Sequence, residues 1–301
     1  MNILITGASG FVGSELLKSL NNPQYNLTCI SRKSQQKINK EVWLKGDLAD
    51  LSFVRHAVKN QDVIIHLAND LLPLDDSNPL ADLRSSLKPT LNILEALRHS
   101  CKKPHIIFLS SGGSIYGEVQ VQNQPIVETH KCEPVSSYGI SKLTAERFFE
   151  QAAVSNKIKC TILRVSNIYG DYLNPDANQG IIGVTMERCR QGKSLRLIGS
   201  KTNIRDFIHI NDVVSAIKLA LHMNKEFNIF NIGSGKGTSI IVLLTMISEL
   251  FGNELSYIEE ESISTDYLPK VNILDTSKAR EELGWDAKIS LQAGLAMMLN
   301  K

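Results

Sequence analysis

Residues Met1 to Leu20 read MNILITGASGFVGSELLKSL. Ile3, Leu4 and Ile5 make a short apolar run, the pattern of a parallel strand buried on both faces. Gly7, Gly10 and Gly13 follow at three-residue spacing, and Val12, Leu16, Leu17 and Leu20 then recur at helical spacing. Strand, glycine turn and helix in this order aim a helix N-terminus at the turn, an arrangement that suits phosphate. Gly7 can take positive φ, Gly10 lets backbone approach a pyrophosphate, and Gly13 lets helix pack on strand. The spacing is G-x-x-G-x-x-G rather than G-x-G-x-x-G, and the bland alternative is a turn that binds nothing.

Outward from this unit, strand and helix patterns alternate. Strands are predicted at Leu27–Ser31, Val42–Leu44, Val63–Leu67, Ile106–Leu109 and Thr161–Val165. Helices are predicted at Phe53–Val58, Leu87–Leu97 and Tyr138–Phe149. Alternation of this kind implies an α/β fold, a doubly wound parallel sheet with helices on both faces and ligands beyond the strands' C-terminal ends. After residue 170 the pattern changes. A helix is predicted near 181–191, a strand at Leu195–Ile198, strand, turn and helix over 207–221, and a strand at Ile229–Ile232. Thr238–Leu250 and Thr276–Leu283 read as helices, the second stopped by Gly284, with Leu268–Leu274 irregular between them. We expect a dinucleotide-binding domain over 1–170 whose sheet also takes in segments near 207–232, and a smaller, interleaved C-terminal substrate lobe over 171–301.

Composition narrows the class. A net charge of +2 over 301 residues gives no field that would draw nucleic acid or an acidic membrane. No apolar run approaches a bilayer span. The polar turn after Ile5 breaks the pattern of a secretory leader, so a cytoplasmic location is expected. The five cysteines lack C-x-x-C spacing and the seven histidines are dispersed, so neither a disulfide frame nor a metal site is expected.

A second motif is Tyr138-Gly-Ile-Ser-Lys142. On a helix the two side chains share a face one turn apart. A free phenol, with a pKa of about 10, holds its proton near neutrality, and a nearby ammonium favours the phenolate. Tyr138 is thereby a candidate acid–base group for an alcohol/ketone pair. It follows the turn Leu109-Ser-Ser-Gly-Gly-Ser-Ile-Tyr-Gly117, whose hydroxyls can hold the reacting oxygen. His66 reads as a core hydrogen-bonding residue rather than a catalyst, His209 as a brace beside Arg205-Asp206, and Trp43 and Trp285 as packing residues.

In order along the chain stand Gly7-x-x-Gly10-x-x-Gly13, Asp47-Leu48, His66-Leu67-Ala68, Ser110-Ser111-Gly112-Gly113, Tyr138-x-x-x-Lys142 and Arg164-x-x-Asn167-x-Tyr169-Gly170. Arg205-Asp206-Phe207-Ile208-His209, Asn231-Ile232-Gly233 and Leu283-Gly284-Trp285 follow. The set resembles the extended short-chain dehydrogenases/reductases of the nucleotide-sugar epimerase/dehydratase group over nearly its whole length. The resemblance implies a Rossmann fold with the cofactor on Gly7, Ser9, Gly10, Phe11, Val12 and Gly13. It also implies Asp47 and Leu48 at the adenine, Leu67 and Ala68 beside the cofactor, and Tyr138 and Lys142 as catalytic pair and ribose clamp. Asn167 and Arg205 resemble positions that hold the sugar-nucleotide diphosphate, a role a bidentate guanidinium suits. It further implies a homodimer built on the helices near 88–98 and 138–150, and a setting in surface-polysaccharide synthesis such as lipopolysaccharide O-antigen.

Four departures bear on the reaction. The usual catalytic Ser/Thr position falls on Gly112, so the hydroxyl comes from Ser111 or Ser114, with Ser114 favoured. Strand two ends in Ser31-Arg32-Lys33 where NAD users carry an acid, which favours NADP(H) over NAD. An Arg that many relatives place between Asn253 and Lys270 is missing, and Lys270 is the candidate substitute. Asp171 stands where Y-G-P is common. We expect an NADPH-dependent reductase of a nucleotide-diphosphate 4-keto-6-deoxy sugar. The alternatives are an NAD-dependent UDP-sugar 4-epimerase, to which Asn174-Pro175 and Gln179-Gly180 are similar, and a non-catalytic dinucleotide sensor. A dehydratase is disfavoured because Gly113 and Ser114 occupy its Asp-Glu positions.

Overall fold

The computed structural model of the chain describes residues 1–33, 35, 40–69, 80, 83–98, 100, 102–155, 157–170, 180–252, 255–260 and 269–299. Asn174-Pro175, Gln179 and most of the segment between Asn253 and Lys270 lie outside the described residues. Element order begins β1 (Asn2–Thr6), α1 (Phe11–Ser19), β2 (Asn26–Ser31), β3 (Val42–Lys45), α2 (Leu51–Ala57), β4 (Val63–His66), α3 (Lys88–Leu97), β5 (His105–Ser111) and α4 (Ser137–Val154). It continues β6 (Lys159–Val165), β7 (Asn167–Tyr169), α5 (Gly180–Gln191), β8 (Leu195–Ile198), β9 (Ile204–His209), α6 (Ile210–Ala220) and β10 (Phe227–Ile232). Then come β11 (Gly237–Ser239), α7 (Ile240–Phe251), β12 (Tyr257–Glu260), β13 (Val271–Asn272) and α8 (Leu291–Leu299). The chain forms two compact units. One comprises Met1–Ile115, Pro134–Arg164 and Val214–Phe230; the other comprises Tyr116–Glu133, Val165–Val213 and Asn231–Lys301.

The first unit is built on a seven-stranded sheet in the order β10-β6-β5-β4-β1-β2-β3. Ile5 of β1 faces Cys29 of β2 on one side and Ile65 of β4 on the other, both in parallel register. The β2–β3 and β4–β5 pairs are parallel as well. The chain lays β1, β2 and β3 outward in one direction, then returns to place β4 on the far side of β1. The ends of β1 and β4 therefore flank the point where strand order reverses, which is where such sheets bind ligands. Leu4, Ile64, Ile106 and Phe108 of the strands pack with Val54, Ile93 and Phe149 of the helices in one core. The Phe149 ring lies 5.0 Å from that of Phe108 and so anchors α4 on β5. Helix starts are set locally. Asp50 accepts the N–H of Ser52 and Phe53 at the head of α2, and Ser136 accepts that of Gly139 at the head of α4. The predicted helix from Leu87 begins one residue later, after a π turn over Leu83–Leu87.

In the second unit β9 is central, antiparallel to β11 and parallel to β7 and β13. The sequence predicts irregular chain over 268–274, but Val271 and Asn272 pair with Ile204 and Arg205. A strand of two residues carries no period to read, and its pairing depends on a partner far away in sequence. β8 and β12 form a separate parallel pair. Ser239 caps α7 and Gly252, at φ 67°, ends it. The predicted helix before Gly284 closes as a π turn over Ala279–Leu283, and Gly284 itself takes φ 67°. Trp285 is buried, and its Nε1–H donates to the Asp212 carbonyl at 3.0 Å. Among the described residues no helix is long and apolar enough to cross a membrane.

Two buried histidines of the first unit are held neutral. Burial, with the Lys142 charge adding to it, pulls His66 down to about 3, and burial with Lys159 pulls His105 down to about 4. In the unfolded chain each titrates near about 6.5. Below that value the unfolded state takes protons that the folded state refuses, so stability is lost as pH falls from about 6.5 toward about 4. Each histidine contributes up to about 1.4 kcal/mol per pH unit in that window. The thermal midpoint should drop between pH 6.5 and 4.5, and His66→Asn should flatten the drop. An unchanged slope in the variant would remove His66 as a source.

Candidate active site

The glycine turn folds hard against its neighbours. Gly7 has φ +68°, and a Cβ there would lie 2.7 Å from the Ala68 backbone nitrogen. A Cβ on Gly13 would meet the Gly7 carbonyl oxygen at 2.3 Å. Gly10 is the N-cap of α1, with extended backbone and no side-chain cap, and its N–H donates to the Gly7 carbonyl at 3.0 Å. Ser9 is exposed beside it, and Phe11 and Val12 are half-buried in the first turn of α1. The result is a backbone cradle at a helix N-terminus that fits a dinucleotide pyrophosphate. A buried hydrogen-bond chain fixes it. Thr6 Oγ1 accepts the Ala68 N–H at 3.2 Å and meets His66 Nδ1 at 2.7 Å; His66 Nε2 meets Thr90 Oγ1 at 3.1 Å. His66 is thus the core hydrogen-bonding residue its sequence setting implies, and it also ties the turn to α3.

The rim of this cradle carries the other predicted cofactor residues. Ser31 Oγ, at the end of β2, accepts the Lys33 N–H and the Gln35 side-chain amide, both at 3.2 Å. Arg32 and Lys33 are exposed, and no acid occurs from Ser31 to Lys40. Asp47 is exposed and accepts the Ala49 N–H at 2.8 Å, while Leu48 is buried and its carbonyl accepts from Asn92 at 2.8 Å. Leu67 and Ala68 are half-buried just past β4.

Helix α4 brings the second motif to the end of β5. Gly139 makes this possible, since a Cβ there would lie 2.4 Å from the Ser114 carbonyl oxygen. Lys142 is buried, and its Nζ donates to the Leu109 carbonyl at 3.0 Å and lies 5.8 Å from the centroid of the Tyr138 ring. The Tyr138 phenol is hydrogen-bonded to Ser111, whose Oγ donates to Ser114 Oγ at 3.2 Å. Ser111 thus acts on the phenol, and Ser114 accepts from Ser111. The expected acidification of the phenol fails. Burial pushes Tyr138 up to about 12, opposed only by the Ser111 hydrogen bond. The ammonium is turned toward Leu109, and burial pulls Lys142 itself down to about 8 against the support of Glu146. A neutral phenol with a hydroxyl beside it can donate a proton to a carbonyl oxygen.

One residue pair had no functional reading in the sequence. Glu146, one turn past Lys142, accepts from Arg164 of β6 through Nε at 3.2 Å to each oxygen and through Nη2 at 2.7 Å. Both side chains are nearly inaccessible, at 2% and 3%. Removing one partner of such a pair costs about 3–5 kcal/mol, because the other charge stays buried alone. The sequence signals are the helical spacing of Glu146 from Tyr138 and Lys142 and the place of Arg164 at the head of the Arg164-x-x-Asn167 motif.

The three predicted substrate residues lie in the second unit. Asn167 donates to the Asp206 carbonyl at 2.9 Å. Arg205 Nη1 donates to the carbonyls of Ile204 at 3.0 Å and Lys270 at 3.5 Å. Burial lowers Arg205 to about 10, with Glu118 opposing, so it stays a cation. The Lys270 side chain is exposed, and its backbone N–H donates to Glu118 at 2.8 Å. Asp206 organises this region, accepting from the N–H and hydroxyl of Ser234 and from the N–H groups of Gly235 and Leu274. His209 accepts the Asn211 N–H and sets its ring edge-on to Tyr169 at 5.3 Å.

The model of the NAD-dependent epimerase/dehydratase family matches residues 3–233, from the first strand to past β10. The chain belongs to that family. The UDP-glucose 4-epimerase of Thermotoga maritima, solved with UDP-glucose, is 30% identical with a TM-score of 0.89, over 100% of this chain and 98% of that one. The Thermus thermophilus UDP-glucose 4-epimerase, solved with NAD, is 26% identical with a TM-score of 0.88, over 100% and 98%. A dTDP-4-dehydro-6-deoxyglucose reductase of Escherichia coli is 28% identical over 99% of this chain and 96% of its own length. Members of this family handle nucleotide sugars, and the protein is an enzyme of the short-chain dehydrogenase/reductase type.

Gly13→Ala tests the cradle. Its methyl would overlap backbone that no rotamer can relieve, so a stability loss of about 1–3 kcal/mol is expected together with loss of dinucleotide binding. Thermal midpoint and nicotinamide fluorescence titration read the two effects. Wild-type binding in the variant would show that α1 does not pack as close as described.

Proposed function

We propose that the protein is an NADPH-dependent reductase of a nucleotide-diphosphate 4-keto-6-deoxy sugar, with Tyr138 as proton donor. The observation that carries this reading is the end of β2, where Arg32 follows Ser31 and no acid stands before Lys40. A carboxylate there would hold a ribose 2′-hydroxyl and repel a 2′-phosphate; a guanidinium suits the phosphate.

The residues have distinct tasks in this reading. Gly7, Ser9, Gly10, Phe11, Val12 and Gly13 seat the pyrophosphate; Asp47 and Leu48 border the adenine; Leu67 and Ala68 flank the cofactor. The bound dinucleotide supplies the hydride that the sugar C4 carbon receives. Tyr138 gives its phenolic proton to the C4 oxygen, and Lys142 holds the ribose and supports the phenolate left behind. Ser111, relayed by Ser114, takes over the hydroxyl task that Gly112 cannot perform. Arg205, Asn167 and Lys270 take the diphosphate of the substrate. The exposed faces of Ile140 and Phe148 on α4 support pairing of two copies along α3 and α4. Surface-polysaccharide synthesis in the cytoplasm is the setting this substrate class suggests.

The second reading, an NAD-dependent UDP-sugar 4-epimerase, is favoured by the two solved relatives described above. The purified protein decides between them. Loosely bound NADPH, consumed on addition of dTDP- or UDP-4-keto-6-deoxyglucose, is the expected result. Firmly retained NAD with interconversion of UDP-glucose and UDP-galactose would replace the reductase by the epimerase. Arg32→Ala should weaken NADPH at least about tenfold more than NADH, and equal losses would remove the 2′-phosphate argument. Tyr138→Phe should cut kcat by at least about 100-fold with dinucleotide binding retained. Ser111→Ala should cost more in kcat than Ser114→Ala; the opposite order would return the hydroxyl task to Ser114.

A further inference from the structure

Tyr138, Lys142 and Glu146 are spaced four apart on α4 and so lie on one face of the helix. The motif reading uses the first two, while the third is buried and carries a full ion pair with Arg164. A carboxylate is costly to bury unless it is paired, and Arg164 pairs this one. The surroundings of Lys142 show what else its charge acts on. From β5 it meets only the Leu109 carbonyl and the face of the Phe108 ring, 4.9 Å from Nζ. From β4 it faces His66, which burial keeps neutral, and from α4 the neutral Tyr138 phenol. Against Glu146 itself stand Arg164 of β6, bound to it, and the Cys160 thiol, which burial and the Glu146 charge hold in its neutral form. Glu146 is the anion among these groups, and its charge opposes the burial that would strip Lys142 of its proton.

We propose that Glu146, clamped in place by Arg164, is a positioning residue that keeps the Lys142 ammonium charged beside Tyr138. Arg164 orients the carboxylate through its planar fork, and the carboxylate in turn keeps a positive charge next to the site where phenolate develops. The proposal rests on Tyr138 and Lys142 being the acting pair, so its test includes a readout that needs no turnover. Competitive acetylation of the folded protein across pH, read at Lys142 by mass spectrometry, gives the protonation midpoint of that amine directly. In Glu146→Gln the midpoint should fall by about one pH unit or more, since the supporting anion is gone and Arg164 is left as a second cation. Where that variant does not fold, Glu146→Gln/Arg164→Met removes both charges, and a smaller fall is expected. Glu146→Asp should restore most of the midpoint. The alkaline limb of the kcat/KM profile should move to lower pH by the same amount as the labelling midpoint. A folded variant with an unchanged Lys142 midpoint would overturn the proposal and leave the ion pair a packing element. A shifted midpoint in a protein that turns over no 4-keto sugar would sustain it and sink the reductase reading instead.

Discussion

At the reversal of strand order, three pieces of backbone come closer together than any side chain permits. The Gly7 α-carbon abuts the Ala68 amide, and α1 comes down on the same turn through Gly13. Everything that gives the first unit a ligand cradle follows from that approach. It brings the N-terminus of α1 to the mouth of β1, and it sets the end of β4 beside the turn. It leaves backbone N–H groups, rather than side chains, as the lining. The Thr6–His66–Thr90 chain holds the arrangement from below, because a threonine just before the turn and a histidine at the end of the next strand share one buried proton path. Among the described residues His66 serves this packing role with both ring nitrogens engaged, and burial with the Lys142 charge keeps it neutral.

A second competition, between burial and charge, sets the chemistry of α4. An ammonium one helical turn from a phenol acidifies it only if the two groups face each other without a better partner. Here the Leu109 carbonyl takes the ammonium, and burial dominates the phenol. The consequence is a resting state with tyrosine protonated. Lysine, also buried, retains its charge with help from a carboxylate a turn further along. Four side chains, from Tyr138 to Arg164, form one electrostatic line along a helix face and onto the neighbouring strand. A buried ion pair is weak evidence for stability.

The second unit shows the same logic applied to binding. Asp206 gathers the Ser234–Gly235 turn and the Leu274 backbone around β9, and Arg205, its neighbour on the strand, stays cationic despite its burial. Strand alternation explains the division of labour, since adjacent residues point to opposite faces. Asp206 binds the fold together, while Arg205 donates to the Ile204 and Lys270 carbonyls.

The amino-acid sequence alone determined the strand–turn–helix opening, the alternation that makes a parallel sheet, and the helix carrying Tyr138 and Lys142. These depend on short-range periodicity and on glycines whose need is local, so they are written in neighbouring residues. It also singled out Ser111 and Ser114 and the basic end of β2. Tertiary structure decided what spacing cannot express. It joined Ser111 to the phenol and Ser114 to Ser111, and it made Val271–Asn272 a strand by pairing it with β9. It revealed Gly139 as the clearance that seats α4, and it joined Glu146 to Arg164 across eighteen residues of chain. It also reversed the expected pKa of Tyr138. Each of these depends on desolvation or on a contact between distant segments, and both quantities exist only once the chain has closed around them.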